Sequence, residues 1–253
     1  MKKILLVFII AILCCIFLAY RNNDPRIIVS NLIRRNGDFR SGELKYKVYL
    51  LGVFPIGEAV FGVEKIEEYR GQKVYHLNAT AQSLKVFSKI FSGHAILDSY
   101  VNMEQFNPII FRQKLIISGK QDIDKEVTYD QKNGVMSLGG VKRKILTNTQ
   151  DPLSAIFNVR RMDLDKFREF RMNVNTNQKN YIIKCKATWQ DIPVDKRIYR
   201  IILAKAEIAR SDENPYHRAN ITMILVRKIE NIPVLIKVFA GGILINAKLI
   251  DIK

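Results

Sequence analysis

Glu43-Leu44-Lys45-Tyr46-Lys47-Val48-Tyr49-Leu50 sets Leu44, Tyr46, Val48 and Leu50 at every second position, with Glu43, Lys45, Lys47 and Tyr49 between them. A strand turns successive side chains to opposite faces, so this period of two predicts a strand with one wet face. Tyr181, Ile183, Cys185, Ala187 and Trp189 alternate with Ile182, Lys184, Lys186 and Thr188 in the same way. Further strands are expected over 57–66, 73–81, 95–102, 109–118, 123–130, 134–138, 168–176, 196–209, 218–228, 232–239 and 242–251. Gly71, Asn133-Gly134, Asn177 and Gly241-Gly242 punctuate these runs as turns. Strands so close in sequence are best joined as antiparallel hairpins. The body of the chain therefore reads as mainly β.

Two segments break the pattern. Gln82–Phe91 places Leu84, Phe87, Ile90 and Phe91 on one helical face. Asp151–Met162 opens with Asp151 as N-cap and Pro152 at the first helical position, and Leu153, Ile156 and Phe157 follow on one face. Two short amphipathic helices on one large antiparallel sheet is the layer arrangement these segments predict.

Upstream of the strands, Lys2 and Lys3 precede an unbroken apolar run from Ile4 to Tyr20, and Arg21 ends it. A basic start before such a run is what a secretory signal or membrane anchor needs. Its length sits at the lower limit for a spanning helix, about 17 residues. Phe17 is bulky where a cleavage site wants a small residue, and Leu13 before Cys14 does not suit lipidation. The segment is expected to stay as an inner-membrane anchor carrying a periplasmic domain, with a cleaved signal as the alternative. Residues 21–38 read as a basic juxtamembrane linker with a short amphipathic turn, and 39–253 as a single domain. The formal charge is +17, of which Lys2 and Lys3 carry two, so the remainder carries +15. Such an excess suits anionic head groups or an acidic partner. Nucleic acid is not expected, because no recognised binding motif is present. Cys185 is the one cysteine beyond the apolar run, which excludes an internal disulfide and suggests a small buried hydrophobe.

Phe39-Arg-Ser-Gly42-Glu43-Leu44-Lys-Tyr46, then Gly52 and Pro55-Ile56-Gly57-Glu58-Ala59, resembles the opening of the bacterial envelope family of domain of unknown function 3108. Asp151-Pro152-Leu153-Ser154-Ala155-Ile156-Phe157-Asn158-Val159-Arg160 is similar to that family's central helix, and Ile232-Pro233-Val234 with Gly242-Ile243 and Leu249 to its final hairpin. The resemblance implies an exported protein similar in architecture to the lipoprotein carriers (LolA/LolB-like half-barrels). That means a strongly curved, open antiparallel sheet of about 11 strands, two short helices on its concave face, an N-terminal hydrophobic helix, and an apolar cavity. The inward strand faces are expected to carry Phe61, Val63, Leu97, Phe111, Leu115, Ile201, Leu203, Ile224 and Val226. A ligand would satisfy such faces, and so would a well-packed core, the more common outcome for a sheet.

Catalytic constellations are not evident. His76, His94 and His217 are far apart and lack metal-ligand spacing. Asp122 and Asp124 read as an exposed hairpin end, and Ser154 lacks a nucleophile elbow and reads as a helix-capping residue. Arg160 has two readings: a bidentate grip on a ligand carboxylate or phosphate, or an ion pair that fixes the helix. No metal and no cofactor is expected. The function expected is non-enzymatic binding or shielding of a lipid-like ligand such as an acyl chain. Leu84, Phe87, Phe91, Phe111, Leu153, Phe157 and Arg160 are the candidate cavity residues. The alternative is a structural module that docks an envelope partner through its basic face or a sheet edge.

Overall fold

Alternating strands of this kind satisfy their main-chain groups only by pairing, and here they pair into one sheet. The computed structural model describes residues 24–36, 42–62, 65–84, 92–194, 197–212, 219–227 and 230–253. The apolar run 4–20, Phe87, Phe91 and His217 lie outside the described residues. No helix among the described residues is long and apolar enough to cross a membrane.

The first half of the chain supplies helix α1 (Pro25–Asn36) and strands β1 (Leu44–Leu50), β2 (Phe54–Phe61), β3 (Lys65–Tyr69), β4 (Gln72–Ser83), β5 (Gly93–Asn102), β6 (Pro108–Ile117), β7 (Ile123–Asp130), β8 (Val135–Leu138) and β9 (Val141–Lys144). Helix α2 (Pro152–Arg161) follows, then β10 (Glu169–Thr176), β11 (Lys179–Val194), β12 (Arg197–Arg210), β13 (Ala219–Arg227), β14 (Asn231–Ala240) and β15 (Ile243–Ile252). The spatial order is β10-β11-β12-β13-β14-β15-β1-β2-β4-β5-β6-β7-β8-β9, with β3 paired to β4 off this path. The last strand thus pairs with the first and joins the two halves, while β9 and β10 end the path. Register shifts at Lys45/Tyr46, Val48/Tyr49, Tyr100/Val101 and Ile224/Leu225 add the local bends a curved sheet needs.

The sheet stays open. Only a single parallel bridge, Gln150 to Val174, crosses between the 145–151 segment and β10. The β10–β11 turn is a tight one, with Asn177 and Gln178 both at positive φ (48° and 62°), as a two-residue hairpin of the mirror-image type requires. Close approach accounts for one glycine of the opening motif. A Cβ on Gly57 would stand 2.6 Å from the Gln82 carbonyl oxygen of neighbouring β4. Gly57→Ala is expected to cost about 1–3 kcal/mol by forcing two strands apart, read as a lowered urea midpoint with an unchanged slope.

Fifteen strands form among the described residues, against the eleven or so expected. The expected strand 57–66 is two: β2 ends at Phe61, and β3 starts at Lys65 as an edge on β4. Gln82 and Ser83, expected to open a helix, belong to β4, because their main chains pair with His94 and Gly57. The 21–38 stretch contains more than a turn. Asp24 accepts the Arg26 N–H at 2.8 Å, Pro25 takes the first helical position, and α1 runs to Asn36. Ile28, Val29 and Leu32 of α1 are buried with Leu44, Tyr46, Tyr199, Ile201 and Leu249.

Candidate functional site: an apolar trough under helix α2

Helix α2 is held at both ends. At its start the Asp151 carboxylate accepts the N–H of Leu153 (2.8 Å) and Ser154 (2.9 Å), and the Ser154 hydroxyl accepts the Asp151 N–H at 3.0 Å. The second Asp151 oxygen accepts the Ser99 hydroxyl of β5 at 2.5 Å. Burial raises the Asp151 pKa to about 6, although each of these hydrogen bonds pulls it down. At the other end Asn231, beginning β14, donates to the carbonyls of Val159 (2.9 Å) and Met162 (2.8 Å). Arg160 Nη2 donates to Glu230 Oε2 at 2.8 Å, and its guanidinium lies 4.8 Å from the Phe157 ring centre.

Pinned in this way, α2 crosses the concave face and packs both walls. Leu153 and Phe157 bury against Leu77, Phe111, Val127 and Met136 of the β4–β8 wall. Ala155 and Val159 face the β10–β13 wall, with Met172, Val174, Cys185, Ala206 and Met223. The two sides differ in how full they are. The first is a filled core of large side chains. The second leaves a cavity of about 320 Å³ between Ala155, Ile156 and Val159 of the helix and the inner faces of β10–β14.

That cavity is apolar. Thr176 and Tyr181 bring the hydroxyls among its lining residues, and none of those residues is charged. Ile183, Ile208, Ile221 and Ile236 in its walls are only partly buried, so the space is an open trough, not a sealed void. Its volume is at the lower end of ligand sites, about 300–1,000 Å³. Cys185 lies in the wall with its thiol pushed up to about 11 by burial, so it is protonated and inert at neutral pH.

A sequence model of the family described as protein of unknown function (DUF3108) matches residues 45–244. The chain belongs to the DUF3108 family. The DUF3108 chain is also similar in structure to a beta-barrel-like protein of domain of unknown function DUF1849 from Brucella abortus. The likeness has a TM-score of 0.55 at 13% identity and covers 85% of this chain and 100% of that one. At that identity the likeness is one of fold alone. No curated protein matches the chain in sequence.

None of the five described candidate cavity residues lines the trough. Phe111, Leu153 and Phe157 come together, but in the filled core against β4–β8. Arg160 is 5% exposed and paired with Glu230, as expected of a residue that fixes the helix. Leu84 follows β4 and is partly buried, while Phe87 and Phe91 lie outside the described residues. The DUF3108 helix motif is thereby explained as a clamp, with Asp151 and Ser154 capping, Leu153 and Phe157 packing, and Arg160 pairing. The trough itself is made by residues outside that candidate set, notably Ala155, Ile156, Val159, Ala206, Ile208 and Met223. Ile201, Leu203, Ile224 and Val226, expected to face inward, stand opposite them. By the strand period and regular pairing they share a face with Tyr199 and Ile192, in the core that holds α1. Apolar residues cover both faces of β12, so alternation there could not tell the inner from the outer one.

His76 is a brace. Its Nε2 lies 2.8 Å from Asp98 Oδ1, its Nδ1 lies 3.2 Å from Glu67 Oε1, and its ring stacks on Tyr100. The Asp98 hydrogen bond raises its pKa above the usual histidine value. Among the described residues, no group of three His, Cys, Asp or Glu is placed to hold a metal ion.

Proposed function

We propose that this DUF3108 chain is a non-enzymatic bacterial envelope protein that binds or shields the apolar part of a lipid-like ligand in the trough beneath α2. The N-terminal apolar segment would hold it at the inner membrane. One observation carries the reading: an uncharged trough of about 320 Å³ whose isoleucine walls are left partly open to solvent. Water gains few hydrogen bonds there, whereas an acyl chain removes apolar surface from water at about 25 cal/mol per Å². The clamp on α2 supports the same reading, because it keeps the roof in place without a ligand to prop it. The Cys185 thiol, protonated at neutral pH, and the Thr176 and Tyr181 hydroxyls are the reactive groups in the trough wall, and shielding and hand-off is the action proposed for it.

A docking face serves the alternative reading less well. Lys184, Lys186 and Lys205 line an outer groove on β11–β13, but Glu169 and Glu207 share it, and Lys186 already pairs with Glu169 at 2.9 Å. The test is titration with a fluorescent long-chain fatty acid. Saturable binding is expected, and Ile183→Glu should weaken it about tenfold or more, because a carboxylate in an apolar wall costs several kcal/mol to desolvate. Binding that is absent, or indifferent to Ile183→Glu, would contradict the proposal.

A further inference from the structure

A second cleft lies between β10, the end of α2, the 147–150 segment and the β5–β6 turn. It has a volume of about 620 Å³, and side-chain amides line it, among them Asn107, Asn148, Gln150 and Asn173. Gln150 is 2% exposed; its Nε2 donates to Asn107 Oδ1 at 2.8 Å, and its Oε1 is buried with no partner. Turning that amide over would leave Nε2 in the same position, so one end of Gln150 is unanswered in either orientation. Buried polar atoms are nearly always paired, so the end of Gln150 beside the cleft lacks the partner such a group ordinarily has.

The sheet edge beside it is open too. β10 pairs with β11 on one side. On the other side, among the described residues, only Gln150 pairs with it, through Gln150 N to Asn173 O and Asn175 N to Gln150 O, both at 2.8 Å. Antiparallel pairing sends the main-chain groups of alternate residues to the same edge. Those of Arg171 therefore point where those of Asn173 and Asn175 do, and Arg171 lines the cleft.

We propose that this cleft takes an extended segment of another polypeptide, added as a strand along β10 beside Arg171. A main-chain N–H of that segment would answer Gln150 Oε1, and the surrounding carboxamides offer donors and acceptors that match peptide groups. Strand addition of this kind takes affinity from the main chain and selectivity from alternate side chains. The exposed Arg171 guanidinium favours an acidic side chain on the incoming segment. A saccharide is less well served, since no aromatic ring lines the cleft for its apolar face.

The probe is a displayed library of random peptides selected on the full chain, with the enriched peptides then synthesised and titrated. Arg171→Pro removes the edge N–H without touching the β11 ladder, and it should weaken binding about tenfold or more. Gln150→Met keeps the bulk but removes the amide, and should weaken it about tenfold. N-methylation of alternate peptide amides should do the same, which keeps the test decisive if either variant fails to fold. Absence of enriched peptides, or affinity indifferent to these changes, overturns the proposal. Tight binding of a neutral N-acetylglucosamine oligomer that Gln150→Met abolishes would overturn it in favour of a glycan.

Discussion

Replacing Asp151 with asparagine should flatten the dependence of stability on pH between about 4 and 6. The carboxyl group is fully buried, and its pKa rises from 3.8 to about 6 because desolvation outweighs the help of Ser99, Ser154 and Leu153. A group whose pKa is higher folded than unfolded stabilises the fold below its unfolded value. That contribution is lost as pH rises through the folded value. The wild-type chain should therefore shed about 2 kcal/mol from this group between pH 4 and pH 7. Asparagine keeps an oxygen for the Leu153 and Ser154 amides but cannot ionise, so the variant gains on the wild type as pH rises. Urea unfolding of both proteins at several pH values reads this directly. Parallel profiles would show that Asp151 is not held protonated by burial. Asp151→Ala has a different signature, because it loses the cap at every pH and strands the Ser99 hydroxyl, at about 2–4 kcal/mol.

Arg160→Met is the second large effect, about 2–4 kcal/mol destabilising at neutral pH. The Arg160 side chain is 6% exposed, and Nη2 alone of its nitrogens reaches Glu230, while Nε and Nη1 are buried without partners. Such a group is expensive to bury, and what it returns is a neutralised Glu230 and a cation over the Phe157 ring. Removing it leaves a partly buried carboxylate alone. Glu230 is 28% exposed, and that access to water holds the loss below the full cost of breaking a buried pair. Removing both charges should restore much of the loss, so Arg160→Met/Glu230→Met should be more stable than Arg160→Met. A double variant no better than the single one would mean that Arg160 acts through packing and not through its charge.

How much of this was legible depends on which interactions decided each element. β11 shows its period of two because one face is wet, with Lys184 and Lys186 alternating against Cys185 and Ala187. α2 is legible from Asp151-Pro152 because capping is local chemistry, and the Ser154 box confirms it. Gln82 and Ser83 are misread because the apolar spacing that begins at Leu84 invites a helix to be drawn back over them. Pairing with His94 and Gly57, distant along the chain, fixes their conformation instead. Only a turn is expected near Ile28, Val29 and Leu32, because the wall that covers them comes from β11, β14 and β15. The trough is hidden for another reason. Large apolar residues advertise a core, but here they fill the β4–β8 side, whereas room on the other side comes from small Ala155 and Ala206. Asn107, Gln150 and Asn173 are scattered polar residues until the missing edge contact gathers them.

Native mass spectrometry of the full chain, purified from cell membranes in mild detergent, tests the ligand-binding claim most directly. A bound species with the mass of a lipid or fatty acid is expected, released when Ile183 or Ile208 is replaced by glutamate. A bare chain under conditions that preserve known lipid carriers with their cargo would contradict it, as would an adduct that both substitutions leave in place.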